Sequence, residues 1–549
     1  MTHPSPVKPP IWLSLSFLAV YTLAALNPVY IDEVAYEYIL GRFFKESGHN
    51  LFMVPECAGS FSLPVPFLWR IPRMILALGY AALPNLFALR AVGVLIALTN
   101  ARLLFLILAN SARPSMKDTV ALFTLSLMVG TLPFLSIYAR PEGLLLLLAL
   151  VPIYLCQRAV SYPSDSAPLS PRGLFAPVTV LTCALFAQAI HPLGILAAPI
   201  FLAALWLLIR DAGSSIALGL IVIVAGILNA FSHSNTYSCP ELSEFSSFVS
   251  SYGGRATLVG ALDLILALPG SLVELFSLIL WLIPGRVGVY GMWPENAWPS
   301  PGAVLPAGIF TVWGWAALFY AMTAKCLQRR GCSLWREISK GSFPAVLTLG
   351  IAATLCGTIV FQPHPVVYRL AFILPLWMVA IGLLLFSDTS SQHLESYART
   401  VRWTTLFSTI SALVSVAAYL PVNLGSLATT APPHQINSTS QFAPINQNDL
   451  AAALKACEIA ESVESRRVIV DWHTYWKMRS TTEPIFATFI SGQLSTLRAK
   501  KLEALGAGGC VLHCTVAQGI FGPAPFRRFG DVCCLSRSDI QSLANAQNN

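Results

Sequence analysis

Long apolar runs almost free of charge decide what this chain can fold into. They fall at 11–27, 86–108, 119–138, 143–156, 173–190, 193–209, 214–231, 303–324, 344–361, 370–386 and 403–420. Most approach the roughly 20 residues that a helix needs to cross a hydrocarbon layer about 30 Å thick. Inside lipid nothing but the segment itself satisfies the backbone N–H and C=O groups, so each run must be helical. Composition agrees: 55% of residues are hydrophobic and 11% charged, against about 25% charged in an average soluble domain. The expected fold is therefore mainly α, a polytopic membrane helix bundle of about eleven transmembrane helices. The runs at 143–156 and 344–361 are short and must extend or tilt. The first run leads into Asn27-Pro28-Val29-Tyr30-Ile31-Asp32-Glu33 and not into a small-residue cleavage site, so it reads as a retained helix.

The formal net charge of +8 comes from 34 Lys+Arg against 26 Asp+Glu. In so apolar a chain this excess reads as basic residues gathered in cytoplasmic loops, not as a nucleic-acid surface. Arg113/Lys117, Arg158/Arg172, Arg210, the basic stretch 325–340 and Arg399/Arg402 fall between runs. Placing them inside puts Met1 inside, Asp32 outside and, after an odd number of crossings, the tail outside. Residues 262–284 are apolar enough to cross, but a further crossing would invert all that follows. A membrane-dipping helix pair broken near Pro269-Gly270 is expected there. The large outer loops are 28–84 and 232–301.

From Pro421 onward proline, asparagine and charge rise and no spanning run appears. The division expected is 1–420, the membrane part, and 421–549, an extracytoplasmic C-terminal domain of small α/β type. Its strands are read at 468–471 and 510–513, with an amphipathic helix at 494–505. Of 12 cysteines, Cys156, Cys183, Cys326 and Cys356 sit in or beside apolar runs and read as packing residues. Cys510, Cys514, Cys533 and Cys534 cluster in the tail. Cys510-x-x-x-Cys514 with His513 has the look of zinc ligation, but no matching second pair follows, and an outer location favours disulfides. Spacing does not give their pairing.

Four short patches carry groups capable of chemistry. After Asp32-Glu33, apolar residues recur at Tyr36, Ile39, Leu40 and Phe43, as in a helix lying in the interface. Asp32 stands at its start, and the plainer reading is an N-cap. Tyr138-Ala139-Arg140-Pro141-Glu142-Gly143 joins the third and fourth runs. Its charges are those of a solvated turn or of a functional pair set in hydrocarbon. Phe361-Gln362-Pro363-His364-Pro365-Val366-Val367-Tyr368-Arg369 is a short outer turn whose His364, Tyr368 and Arg369 suit a phosphate or anchor the chain at headgroup level. In Gln188-Ala189-Ile190-His191-Pro192, His191 reads equally well as a helix-end residue. The two acidic patches and the basic-aromatic turn are expected on one membrane face, contributed by runs far apart in sequence.

The order of these features resembles the C superfamily of glycosyltransferases (GT-C), which use lipid-phosphate sugars as donors. Within it the likeness is to the branch of protein O-mannosyltransferases and lipid A aminoarabinose transferases. That branch carries an acidic pair, often Asp-Glu, in the first outer loop, matched here by Asp32-Glu33. A Tyr-x-Arg-x-Asp-like element closes its third span, resembled by Tyr138 to Glu142. A basic or His-containing turn with a Tyr precedes a Leu/Pro-rich helix, resembled by His364 to Pro375. Glu142 stands where Asp is frequent, and the last turn lacks the lysine often found there. The likeness covers residues 11–420; the tail matches none of it.

The resemblance implies an inverting hexosyl- or pentosyltransferase that moves a sugar from a polyprenyl-phosphate donor to an acceptor hydroxyl at the outer face. It implies Asp32 as general base, with Glu33, Arg140, Glu142, His364, Tyr368 and Arg369 binding substrate. The partners implied are the polyprenyl-phosphate-linked sugar, the lipid bilayer and an acceptor glycan, lipid or protein, with no nucleic acid. The branch does not generally need a cofactor, although Asp32, Glu33 and Glu142 are together candidate ligands of a divalent cation. A bacterial inner membrane, with the site and the C-terminal domain in the periplasm, suits a chain without long cytoplasmic segments. The alternative is a multi-pass transporter or lipid flippase. That reading expects ionisable groups near the bilayer midplane on broken helices, whereas here they gather at the ends of runs. A third reading, an assembly subunit, would leave the charged patches dispensable.

Overall fold

The computed structural model describes residues 8–25, 29–30, 33, 86–111, 116–128, 132–137, 141–161, 171–209, 211–235, 342–361, 370–386, 436–437, 445–459, 467–478, 483–486, 508–521 and 526–546, with isolated positions at 71–82 and at 406. Nine of the eleven expected runs fall on helices among them. These helices are α1 (Ile11–Ala25), α2 (Leu86–Asn110), α3 (Met116–Leu127), α4 (Leu132–Ile137), α5 (Glu142–Ser161), α6 (Pro171–Ile190), α7 (Pro192–Leu196), α8 (Ala198–Leu208), α9 (Ala212–Asn235), α10 (Phe343–Phe361) and α11 (Leu370–Phe386). The run at 303–324, the segment 262–284, the helix at 494–505, the interfacial helix after Asp32 and nearly all of 403–420 lie outside the described residues. Among the described residues, helices over Ala88–Asn110, Glu142–Val160 and Ala212–Ala230 are each long and apolar enough to cross a membrane, and shorter apolar helices accompany them.

Two expected spans are each built from two helices. The run at 119–138 is divided into α3 and α4; α3 alone has 12 residues, or about 18 Å of rise. Pro133 sits at the second position of α4, in the first turn, where its missing N–H leaves no bond unmade. The run at 193–209 breaks at Ala197, between α7 and α8. Pro199 has no N–H to continue the ladder, so a new helix starts there. The two short runs do extend: α5 covers 20 residues and α10 covers 19.

The bundle packs as a membrane protein does. Phe17 and Tyr21 stack with ring centroids 3.9 Å apart, and Phe17 and Phe105 both meet Phe123. Large apolar side chains also face outward, among them Ile11, Trp12 and Leu15 on α1 and Ile216, Leu220 and Ile227 on α9. In water such a surface would aggregate; in a bilayer it is the lipid contact. Ser111, Ser126, Thr182 and Thr358 donate their hydroxyls to the carbonyl four residues back, as lipid requires of polar groups. Cys156 and Cys183 are buried as expected, but Cys356 is exposed on α10. Its packing role is thereby corrected: it points away from the helices α10 meets.

The tail contains a five-stranded sheet in the order β4-β3-β5-β7-β6, from β3 (Arg467–Val470), β4 (Glu483–Phe486), β5 (Gly509–His513), β6 (Arg527–Phe529) and β7 (Val532–Ser536). The β3 pairings with β4 and β5 are parallel, and β7 runs antiparallel to β5 and β6. Helices α12 (Gln447–Ala456), α13 (Trp472–Met478), α14 (Cys514–Phe521) and α15 (Arg537–Ala546) pack on it. Every residue of β5 and β7 is buried, so these strands are covered on both faces. Two disulfides hold the unit, Cys457–Cys534 and Cys514–Cys533, while Cys510 is free and buried. One further pairing links the parts of the chain: β1 (Val29–Tyr30) lies parallel to β2 (Ile436–Asn437).

Candidate functional site

One face of α2 organises the residues that flank the sequence-read patches. Arg90, near its start, is fully buried and heads the described buried side chains by volume. Its Nε donates to Oε1 of Glu33 at 3.1 Å and its Nη2 to Oε2 at 2.6 Å. A third donor, Nη1, reaches the carbonyl of Ala25 at 3.0 Å. Ala25 is the last residue of α1, where carbonyls have lost their intrahelical partners and a positive charge is favoured. Glu33 is itself fully buried. A buried ion pair seldom adds net stability, yet removing one partner costs about 3–5 kcal/mol because the other charge is left bare. The pair therefore fixes a position more than it contributes to folding.

One turn further along α2, Gly93 lies directly under the carbonyl of Ile137, the last residue of α4, and any Cβ there would collide with it. Asn100, on the same face, donates from Nδ2 to the carbonyl of Gly143 at 2.8 Å. Glu142, 1% exposed, stands in the first turn of α5, where a carboxylate complements the helix dipole. Ten residues of helix, about 15 Å, separate Arg90 from Asn100, so the start of α5 is recessed relative to the Arg90–Glu33 pair. Helix α11, which begins directly after Arg369, packs against α2, α3, α4 and α5.

Of the residues singled out from the sequence, Glu33 and Glu142 are described; Asp32, Arg140, His364, Tyr368 and Arg369 lie outside the described residues. Each of the latter is nonetheless bounded closely. Asp32 directly precedes Glu33, Arg140 directly precedes Pro141, and 364–369 lie between the ends of α10 and α11. His191 takes the plainer of its two readings: its Nδ1 accepts from the backbone N–H of Leu193 at 3.1 Å and caps α7. Among the described residues no three His, Cys, Asp or Glu side chains come close enough to hold a metal ion. Both oxygens of Glu33 face a guanidinium, where a divalent cation would have to displace that positive charge. Sequence reasoning passed over Arg90. The signal was present: an arginine inside an otherwise apolar run is a functional or pairing residue by default.

The tail holds a second polar cluster that the sequence did not announce. Asp471 follows β3 and is buried. Its Oδ1 accepts from the N–H groups of His473 and Thr474, both at 2.8 Å, and its Oδ2 accepts from the N–H of His513 at 2.6 Å. Thr474 Oγ1 donates to the carbonyl of Val511 at 2.9 Å. The imidazoles of His473 and His513 lie 6.0 Å apart. Burial holds His473 below its ordinary pKa, with Asp471 pulling up and His513 pushing down. Burial, with Asp471 adding to it, raises the Cys510 thiol well above its ordinary value, so this cysteine is chemically inert packing. The zinc reading of Cys510, His513 and Cys514 gives way to a disulfide at Cys514.

No protein-family model matches the chain, and no curated protein matches it in sequence. Solved structures of similar outline include ArnT from Cupriavidus metallidurans bound to undecaprenyl phosphate, with a TM-score of 0.45, 12% identity, and 97% of this chain and 98% of that one covered. They include also the archaeal oligosaccharyltransferase AglB from Archaeoglobus fulgidus, in complex with an inhibitory peptide and a dolichol-phosphate, with a TM-score of 0.45, 11% identity, and coverage of 94% and 72%. At these scores the likeness is one of general outline and carries nothing about substrate or residues.

Proposed function

We propose that this membrane protein is an inverting glycosyltransferase that moves a hexose or pentose from a polyprenyl-phosphate donor to an acceptor hydroxyl at the outer membrane face. The observation that carries the reading is the Arg90–Glu33 pair. It holds Glu33, the second residue of the acidic motif, next to the end of α1, at one end of the described bundle. A transporter would more naturally keep such a pair near the midplane.

In this reading Asp32 takes the proton from the acceptor hydroxyl as its oxygen attacks the anomeric carbon from the face opposite the phosphate. The bond from that carbon to the phosphate oxygen breaks, its electron pair staying on the phosphate, and the configuration inverts in a single displacement. The leaving phosphate is already a stable anion, so no general acid is required. The developing charge needs fixed donors instead, for which Arg369, His364, Tyr368 and Arg140 are the proposed groups. Glu142, at the recessed start of α5, is proposed to bind the sugar. Two features support the outer side: the disulfides of the tail, which persist in oxidising compartments, and the β1–β2 pairing, which ties the Asp32 loop to the C-terminal segment. A bacterial inner membrane with a periplasmic site is the setting proposed.

The test is Asp32→Asn, assayed in membranes with a panel of radiolabelled undecaprenyl-phosphate sugars. Loss of a general base lowers transfer by about 10²–10⁴-fold. An unchanged rate at equal protein level would remove the catalytic role of Asp32.

A further inference from the structure

Helices α2 and α5 are joined by two side-chain bonds set far apart along α5. Asn100 of α2 donates from Nδ2 to the carbonyl of Gly143 at 2.8 Å, and Gln157 of α5 donates from Nε2 to the carbonyl of Ile107 at 3.0 Å. Both amides are buried. Gly143 and Gln157 stand about 21 Å apart along the helix, so the bonds act on opposite ends of α5. They differ in what lies beside them. Asn100 holds the second residue of α5, next to Glu142, whereas Gln157 shares the Ile107 carbonyl with the hydroxyl of Ser111. The first turn of α5 is closely seated on its other side as well. A Cβ at Gly143 would stand 3.0 Å from the carbonyl oxygen of Ser136 on α4, so glycine lets this turn settle between Asn100 and α4. Glu142 has interactions of its own; what Asn100 sets is the backbone that carries it.

We propose that Asn100 is a positioning residue of the sugar subsite: its bond to Gly143 fixes the start of α5, and with it the place from which Glu142 meets a hydroxyl of the donor sugar. The proposal rests on the reading of Glu142 as a sugar-binding group and is independent of Asp32. Asn100 touches no substrate in it. A carboxylate that accepts from a sugar hydroxyl makes a charge-assisted hydrogen bond, which weakens steeply as distance and angle depart from their optimum. Shifting the backbone beneath it loses that bond in the ground state and the transition state alike. The loss then falls on KM for the donor and leaves kcat nearly as it was.

The experiment uses full-length protein in membrane vesicles with the radiolabelled undecaprenyl-phosphate sugar of the same panel that wild type turns over fastest. It compares N100L, E142A, N100L/E142A and Q157L. Leucine keeps the branched shape of asparagine and loses its N–H, and single interhelical bonds are modest in lipid, so the bundle survives the loss of one. N100L is expected to raise donor KM about tenfold, with kcat within about threefold of wild type. E142A is expected to raise it at least as much, and N100L/E142A no further than E142A, because both act through one group. Q157L breaks a like bond far from Glu142, and its donor KM is expected within about twofold of wild type. A wild-type donor KM in N100L overturns the proposal. A Q157L as impaired as N100L overturns it too, making both amides general fasteners of the bundle, as does an N100L effect that adds in full to that of E142A. Should N100L fail to accumulate, N100S carries the same decision, since serine is too short to reach Gly143 and can bond back to its own helix. E142A separates the two claims. An unchanged donor KM in E142A sinks the sugar-binding reading of Glu142, whereas a raised one beside an unchanged N100L sinks only the positioning. A wild type inert with every sugar of the panel removes the transfer reading and the proposal with it.

Discussion

His473 sits where a proton is costly. It is 8% exposed, its ring lies 6.0 Å from that of His513, and the nearby carboxylate of Asp471 is already committed to three backbone N–H groups. Burial lowers its pKa below the ordinary 6.5 in the folded chain. The unfolded chain therefore binds the proton more readily, and stability rises with pH through this window. The contribution is complete above the unfolded value of 6.5 and is lost as pH falls through 6.5 towards the folded value. Amide protection in β3 and β5, corrected for intrinsic exchange, should drop between pH 7.5 and pH 5, and His473→Gln should flatten that drop. A pH-independent protection would remove His473 from the balance. At this scale the sequence was legible unevenly. Asp32-Glu33 and Tyr138 to Glu142 stood out because charge beside a long apolar run is conspicuous. Arg90 is a single charge near the start of an apolar run, and Asp471 reads as the last residue of a strand until its three donors are seen.

Helix α2 shows why element positions were easier to read than element contacts. Its apolar run is visible in sequence, but the face bearing Arg90, Gly93 and Asn100 is not, since periodicity reports hydrophobicity and this helix is apolar nearly all round. The same limit explains α3 and α4: the run at 119–138 is free of charge throughout, and Gly130 and Pro133 are the signals of its break. Gly93 is the residue of this face whose role is purely spatial. Gly93→Val places a branched side chain against the Ile137 carbonyl, so α2 and α4 must separate. Overpacking of this kind costs about 1–3 kcal/mol. The expected outcome is a lowered thermal midpoint in detergent together with reduced transfer, because Ile137 leads directly into Tyr138 and Arg140. A midpoint equal to wild type would mean that the two helices do not meet as described.

Across the whole molecule, the start of α1 and the disulfide-bonded sheet lie on opposite sides of the membrane only if the chain crosses an odd number of times. The basic loops predict this, and the tail adds an independent argument. Disulfides close rings between Cys457 and Cys534, 77 residues apart, and between Cys514 and Cys533, 19 apart. In the chain-entropy account rings of such sizes stabilise by about 3–4.5 kcal/mol each, an advantage lost in a reducing cytosol. The start of α1 should then face the cytosol while α12 faces outward. Lys8 and Ala452 are both exposed, so cysteines placed at these positions, one at a time, report on the two sides. A membrane-impermeant maleimide applied to intact cells should label Ala452→Cys and spare Lys8→Cys, and permeabilisation should equalise them. Without reduction, Cys457, Cys514, Cys533 and Cys534 should resist alkylation in the unfolded chain. Labelling of Lys8→Cys from outside would invert the topology, carry Glu33 and Arg90 to the cytosolic face, and leave a lipid-linked donor on the wrong side of the membrane for the reaction assigned to it.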